Sequence, residues 1–268
     1  MKRVAVLGGG NMGRALIAGM LRAGVASPSR IIVTDPRAEA RRALKSAFKV
    51  SVGGDNRAAT KRADVVLLCV KPRQMAGLLE EIKGAVGPRR LVISAAAGIR
   101  TDFIEGILGG NVPVVRSMPN TPALYGAGAV VYCLGRAAGP SHERTARRIF
   151  SAVGRAWRAP EKHLDAVTAL SGSGPAYVFH LAEAMARAGA KMGLPPKLAE
   201  DLTRQTIFGA GLMLRESAEA PASLRERVTS PGGTTAAALA VLGKAGFLRV
   251  FERALSAARR RSRELSQR

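Results

Sequence analysis

Apolar and polar positions along the chain follow two different periods. Up to about residue 160, short apolar runs alternate with segments of helical spacing. The expected strands are residues 4–7, 30–34, 64–70, 91–95, 112–116, 129–134 and 155–158. Residues 64–70 read Asp-Val-Val-Leu-Leu-Cys-Val, a continuous apolar run of the kind found where both faces of a strand are covered. Residues 11–23 place Leu16, Met20 and Leu21 on one side and stop at Gly24, and residues 38–48 read as a second helix. Strands alternating with helices imply a parallel, doubly wound sheet. After Pro160 long Ala- and Leu-rich helices take over, at about 162–170, 175–192, 196–218 and 246–266, with Tyr177, Leu181, Met185, Ala188 and Met192 at helical spacing. The expected architecture is an α/β Rossmann domain with a doubly wound, mostly parallel sheet over residues 1–160, followed by an all-α domain over 161–268. Those helices are apolar on more than one side and carry small residues such as Gly209, Ala210 and Gly211, so a subunit interface is expected among them.

Composition narrows the picture. Hydrophobic residues make up 47% of the 268, enough for a sizeable core. No apolar run approaches the roughly 18 residues that cross a bilayer. The opening Met-Lys-Arg-Val-Ala-Val-Leu stops at Gly8, too short for an export segment, so a cytoplasmic protein with no membrane partner is expected. Cys69 and Cys133 sit in apolar runs and read as small buried hydrophobes. His142, His163 and His180 are scattered, and no metal site is expected. The formal charge of +23 raises nucleic-acid binding, but only 4% of residues are aromatic and the basic residues are spread along the chain. The densest run, around Arg259 to Arg263, ends the last helix, where cations complement the dipole. No nucleic-acid partner is expected; an anionic substrate or cofactor needs only a few of these charges.

Gly8-Gly9-Gly10-Asn11-Met12-Gly13 follows the first strand directly and opens the first helix, the context in which G-x-G-x-x-G is a dinucleotide fingerprint. Gly8 permits the tight turn, Gly10 lets the backbone approach a pyrophosphate, and Gly13 lets helix pack on strand. The N–H groups of the helix start are free for phosphate. Asp35 follows the second strand, 22 residues after Gly13, where an acid often accepts hydrogen bonds from the adenosine ribose. Arg37 either meets a 2′-phosphate or is a solvated turn residue.

Val70-Lys71-Pro72 and Arg116-Ser117-Met118-Pro119-Asn120-Thr121-Pro122 both follow strands, and ligands of open α/β sheets lie just beyond the carboxyl ends of strands. Two prolines stiffen the turn around Asn120; Lys71 is a cofactor or substrate contact, or a plain surface lysine. Ser171-Gly172-Ser173-Gly174-Pro175 sets small residues before a proline suited to a first helical turn. Val228-Thr229-Ser230-Pro231-Gly232-Gly233-Thr234-Thr235-Ala236 leads glycines and hydroxyl residues into a helical run. Consecutive N–H groups at such a start make either an anion cradle, which a carboxylate fits, or simply a capped helix.

In this order, the motifs at 8–13, 70–72, Arg116 with 118–122, 172–177, Lys191-Met192-Gly193-Leu194 and 230–235 resemble those of pyrroline-5-carboxylate reductases over nearly the whole chain. The resemblance implies reduction of 1-pyrroline-5-carboxylate to L-proline with NADPH or NADH, the last step of proline biosynthesis. It also implies a helical domain that interlocks a homodimer and completes the site across it, with dimers often gathered into decamers. The substrate loop then falls on Ser230, Gly232, Gly233, Thr234 and Thr235: N–H groups around Ser230, Gly233 and Thr234 hold the carboxylate, and the Thr235 hydroxyl, the one catalytic position, lies near the ring nitrogen. Asn56 matches a position on the adenosine-ribose side. The expected cofactor-binding set is Gly8, Gly10, Asn11, Met12, Gly13, Asp35, Arg37, Asn56, Val70, Lys71, Pro72, Ala95, Ala97, Gly98 and Asn120. Asp35 departs from the family, which often has Ser or Asn-Arg-Ser there, and this leaves the choice between NADPH and NADH open.

The substrate loop contains no histidine or carboxylate, so Thr235 is expected to orient the imine nitrogen while the proton comes from solvent; the alternative is an imine that binds already protonated. A second reading is another NAD(P)-dependent imine or hydroxyacid oxidoreductase of similar two-domain architecture. β-Hydroxyacid dehydrogenases carry a catalytic lysine four residues after the second glycine of the turn that opens their helical domain. Here that position is Val178, and no lysine lies between Gly174 and Arg187. A third reading, a non-catalytic nucleotide sensor, is separated from both by turnover.

Overall fold

Strand β1 (Val4–Leu7) is apolar at every position because both its faces are covered: Val4 and Val6 enter one core, Ala5 and Leu7 the other. In the computed structural model, which describes residues 2–266, seven more strands join it. They are β2 (Ile31–Thr34), β3 (Ser51–Gly53), β4 (Val65–Leu68), β5 (Leu91–Ser94), β6 (Val114–Met118), β7 (Gly128–Leu134) and β8 (Gly154–Arg158). The order is β3-β2-β1-β4-β5-β6-β7-β8, and every neighbouring pair is parallel except β6 and β7.

Helices cover both faces. On the Val4 side lie α1 (Asn11–Arg22), α2 (Ala38–Phe48) and α6 (Pro140–Ser151), which supply Leu16, Ile17 and Met20, then Leu44, then Ile149 and Phe150. On the Leu7 side lie α3 (Asn56–Lys61), α4 (Met75–Ile82) and α5 (Thr101–Leu108), supplying Ala59, then Met75 and Leu79, then Ile104 and Leu108. This is the doubly wound Rossmann arrangement expected from the alternating pattern. Strand order reverses between β1 and β4, the switch point where such sheets bind ligands. The carboxyl ends Thr34, Leu7, Leu68 and Ser94 are in register along that edge.

Some details depart from expectation. The strand expected from residue 112 enters the ladder at Val114, after Pro113, which has no N–H to donate. β3 was not expected: it is a three-residue edge strand whose Ser51 is exposed, so it has no apolar signature. The remaining chain forms α7 (Leu164–Val167), a π-helical turn (Thr168–Gly172), α8 (Gly174–Lys191), α9 (Pro196–Glu216), α10 (Pro221–Arg227), α11 (Thr234–Lys244) and α12 (Phe247–Ser266). Strands give way to helices at residue 160, but compactness divides the chain later: one unit runs to Ser173 and resumes at Ala258, and the other is Gly174–Ala257. Residues 161–173 stay with the sheet, tied there by Glu161, which binds Thr101 and Arg116.

The helical unit has almost no core of its own. Among its residues only Gly189, Ala199, Thr203 and Leu224 are buried. α8 and α9 approach closely at Gly189, where a Cβ would stand 3.2 Å from that of Ala199. Tyr177 meets Phe251 edge-on at 6.4 Å. Phe179, Phe208 and Leu248 are 67%, 64% and 75% exposed, far more apolar surface than a monomer ordinarily leaves in water.

Candidate active site

Where β1 ends, the chain turns at Gly8 with φ +108°, a conformation that favours glycine. A Cβ there would stand 2.7 Å from the Cys69 carbonyl oxygen, and one at Gly13 would overlap the Gly8 carbonyl, so α1 sits directly against the strand. Gly10 differs: a Cβ on it would meet nothing within 4 Å. It precedes α1 without any side-chain cap, so no capping side chain takes the first-turn N–H groups, those of Asn11 and Met12 among them. A pyrophosphate fits this arrangement: the glycines that cannot carry a side chain shape the turn, and the one that can leaves room for the ligand.

Three backbone bonds stitch the strand ends around it: Gly8 N–H to Thr34 O at 2.9 Å, Cys69 N–H to Leu7 O at 2.8 Å and Ala95 N–H to Leu68 O at 3.0 Å. The segments holding Asp35, Val70-Lys71-Pro72 and Ala95, Ala97 and Gly98 therefore share one edge with the glycine turn. Ala95 and Ala97 are half-buried, Gly98 is buried, and Lys71 is exposed.

Asp35 is buried at the end of β2. Its Oδ2 accepts the Gly9 N–H at 3.1 Å, its Oδ1 accepts the Arg37 N–H at 3.0 Å, and the Arg37 guanidinium spans both oxygens at 3.0 and 3.1 Å. Burial pushes this carboxyl up, but the hydrogen bonds and charge of Arg37, with the Gly9 N–H, outweigh it and hold it below the ordinary carboxylate value. Arg37 itself is 66% exposed, which leaves one face of its guanidinium to solvent or ligand. Arg41, which the sequence did not single out, donates from Nη1 to the carbonyls of Asp35 at 2.7 Å and Pro36 at 2.9 Å. Asn56 joins the group: its Oδ1 accepts the Thr34 hydroxyl at 2.6 Å, and its Nδ2 donates to Glu81 at 2.8 Å.

Asn120 is 9% exposed, and both ends of its amide are used by the chain. Nδ2 donates to Ser171 O at 3.0 Å, and Oδ1 accepts the Ala129 N–H at 2.9 Å. Nearby, the buried Arg116 pairs with Glu161 at 3.0 Å, and Glu161 also accepts the Thr101 N–H at 2.8 Å and hydroxyl at 2.7 Å. Burial pushes the Glu161 carboxyl up, but Thr101 and Arg116 outweigh it and hold it below its ordinary value. Burial also pushes the thiols of Cys69 and Cys133 up to about 12, so neither is a thiolate nucleophile at neutral pH.

In the helical unit, the loop before α11 closes on itself. The Gly233 N–H donates to Ser230 O at 3.0 Å, Gly232 has φ +69°, and the Thr229 hydroxyl donates to Arg225 O at 2.6 Å. Gly233 precedes α11 without a side-chain cap, and the first helical N–H to find an acceptor is that of Ala237, on Gly233 O at 3.1 Å. The N–H groups of Thr234, Thr235 and Ala236 thus point out of the helix start. The half-buried Thr235 hydroxyl has no hydrogen-bond partner among the described residues. Backbone donors beside a free hydroxyl suit a small molecule with a carboxylate and one further polar atom.

Residues 3–98 match the family described as NADP oxidoreductase, coenzyme F420-dependent, and residues 161–265 match pyrroline-5-carboxylate reductase dimerisation. A pyrroline-5-carboxylate reductase of Pseudomonas aeruginosa is 44% identical over 266 residues, 99% of this chain and 97% of that one. The solved structure of a pyrroline-5-carboxylate reductase from Coxiella burnetii is similar with a TM-score of 0.93 at 39% identity, over 99% of this chain and 98% of that one. That of Plasmodium falciparum pyrroline carboxylate reductase, with NADP bound, gives 0.89 at 30% identity over 99% and 98%. A doubly wound Rossmann sheet with an uncapped glycine turn at its switch point, followed by helices with almost no core of their own, is the architecture of a two-domain dinucleotide-dependent oxidoreductase. Within that class, the chain belongs to the pyrroline-5-carboxylate reductase family.

Proposed function

We propose that this protein reduces 1-pyrroline-5-carboxylate to L-proline with NADPH or NADH, the last step of proline biosynthesis. What carries the reading is that the family relationship spans the chain while two features suit the half-sites it requires: the open backbone at Gly10 and the uncapped helix start beside the Thr235 hydroxyl. In this reading residues 1–160 hold the cofactor, and residues 161–268 build the dimer and hold the substrate. Gly8, Gly10, Asn11, Met12 and Gly13 take the pyrophosphate; Asp35, Arg37 and Asn56 border the adenosine ribose; Val70, Lys71, Pro72, Ala95, Ala97 and Gly98 flank the rest. Asn120 acts by shape, since its amide is spent on Ser171 and Ala129.

Bound at this edge, the reduced nicotinamide supplies a hydride to the imine carbon. The chain supplies position. The N–H groups around Ser230, Gly233 and Thr234 hold the substrate carboxylate, with Gly233's own N–H spent on Ser230 O, and the Thr235 hydroxyl bonds the ring nitrogen. No acid stands in the loop, so the proton comes from solvent, either during the transfer or already on the nitrogen of the bound imine. The test is product formation: pyrroline-5-carboxylate and NADPH should give proline one for one, while hydroxyacids with the oxidised cofactor give no turnover. The reverse pattern favours the hydroxyacid alternative. A cytoplasmic location goes with this reading; no single helix among the described residues is long and apolar enough to cross a membrane.

Both cofactors are expected to work. Asp35 repels a 2′-phosphate, but Arg37 is held against it and offsets most of that charge. Asp35→Ser should move the ratio of kcat/KM toward NADPH by about 1–2 kcal/mol, the Coulomb energy of one such charge near a protein surface. Arg37→Ala should move it toward NADH. An unchanged ratio in Asp35→Ser shows that Asp35 does not face the ribose.

The bare helical unit is proposed to be covered by a second copy, as homodimers that can gather into decamers. Light scattering should give at least twice the 28.1 kDa chain mass, and charged substitutions at Phe179 or Phe208 should reduce it. A stable monomer contradicts the dimer.

A further inference from the structure

The cofactor positions occupy the carboxyl edge of the sheet. The opposite edge carries a different concentration of charge. Arg3 precedes β1, Arg30 ends the turn before β2, Asp64 precedes β4 and Arg90 precedes β5, and these strands are parallel. Their amino ends therefore fall together, away from Leu7, Thr34, Leu68 and Ser94. A cavity of about 480 Å³ opens there, lined by Arg3, Arg30, Lys61, Arg62, Arg89 and Arg90, with Asp64 as its one carboxylate.

Among the described residues, little balances the charges of Arg3, Lys61, Arg62 and Arg89. Asp64 Oδ2 accepts the Arg3 backbone N–H at 2.8 Å and makes no ion pair among the described residues. Arg3, Lys61, Arg62 and Arg89 likewise take part in none of the ion pairs found among those residues. Arg90 is fixed as a wall: its guanidinium donates to Thr60 O at 3.2 Å and Lys61 O at 2.8 Å. Arg89 also borders an adjoining cavity of about 500 Å³ that includes Lys2 and Arg148, so the positive field continues beyond the first.

We infer that this cavity is a binding site for a small polyphosphate anion, separate from the dinucleotide site. Like charges gathered around one cavity repel one another, and an anion placed among them relieves that repulsion. Guanidinium groups bind phosphate oxygens in pairs, and several around one cavity match a ligand with phosphates in series better than one with a single charge. Pyrophosphate and the phosphate tail of a nucleotide share this chemistry. Because the site lies at the opposite ends of the strands, its ligand binds alongside the cofactor and does not displace it.

The test is calorimetric titration of the full-length protein, saturated with NADPH so that the dinucleotide site is filled. Sodium pyrophosphate and ATP are the two probes, with ionic strength held constant by sodium chloride. One saturable site per chain is expected. ATP binding more tightly than pyrophosphate points to a nucleotide as the natural ligand; equal binding points to the phosphates alone. Arg62→Ala/Arg89→Ala, both exposed positions, should weaken binding at least tenfold while leaving NADPH affinity and kcat unchanged. Arg215→Ala/Arg253→Ala removes the same charge from residues outside the cavity and should bind as the wild type does. Absence of a saturable site, or equal weakening in the two double variants, overturns the inference, because the effect is then general charge and not a site.

Discussion

Thr235→Ala is expected to lower kcat roughly 10- to 1000-fold, the range for one hydrogen bond made to a reacting centre. The Thr235 hydroxyl has no partner within the chain among the described residues, so its removal leaves no orphaned group and should not unfold the protein. KM for the cofactor should barely change, since none of the proposed cofactor positions lies in this loop. Thr235→Ser should recover much of the rate, because the hydroxyl is kept and only a methyl is lost. Steady-state kinetics on the two variants checks this. Full activity in Thr235→Ala means that the hydroxyl does not touch the ring nitrogen in the transition state.

Glu161→Ala is expected to destabilise the fold by about 3 kcal/mol, the lower end for removing one partner of a buried ion pair, because Glu161 itself is 20% exposed. Arg116, 4% exposed, would keep its charge with no counter-ion, and Thr101 would lose the acceptor for both its N–H and its hydroxyl. Glu161→Gln keeps the shape but not the charge and should cost less. The sign of the pH dependence follows from the carboxyl being held below its ordinary value. Its stabilisation is fully present above the ordinary glutamate value and is lost as pH falls through the lower, folded value. The stability gap between wild type and Glu161→Gln should therefore be widest near neutral pH and narrow in acid. Asp35 has the same sign but is present in both proteins, so it cancels from the difference. Urea unfolding at about pH 7 and again below about pH 4 checks it. A gap that widens in acid contradicts the assignment.

The sequence revealed the parts of this protein whose physics is local. A glycine turn between an apolar strand and a helix is legible because strand, turn and helix start are consecutive, and the fully apolar 65–68 run showed that both sheet faces are covered. The helix starts at Pro196 and before Thr234 carried their own signals in proline and glycine. What depends on distant partners was not legible. Glu161 meets Arg116 and Thr101 from 45 and 60 positions away, and no pattern near residue 161 marks it. The antiparallel course of β7 leaves no trace in its hydrophobic period, because direction is set by the neighbour. Asn120 stood out within a stiff turn, yet its use as a staple between Ser171 and Ala129 required the fold. Arg41 looked like any charged helix residue until the end of β2 was seen to place two carbonyls beneath it.

Transfer of isotope tests the central claim most directly. NADPH or NADH carrying deuterium at the transferable position of the nicotinamide is incubated with pyrroline-5-carboxylate and the protein, and the product is read by mass spectrometry and NMR. The account predicts proline with one deuterium, bound to the ring carbon that was doubly bonded to nitrogen, in amounts equal to the cofactor oxidised. Cofactor oxidation without labelled proline, or no turnover with either cofactor while both bind, would contradict it.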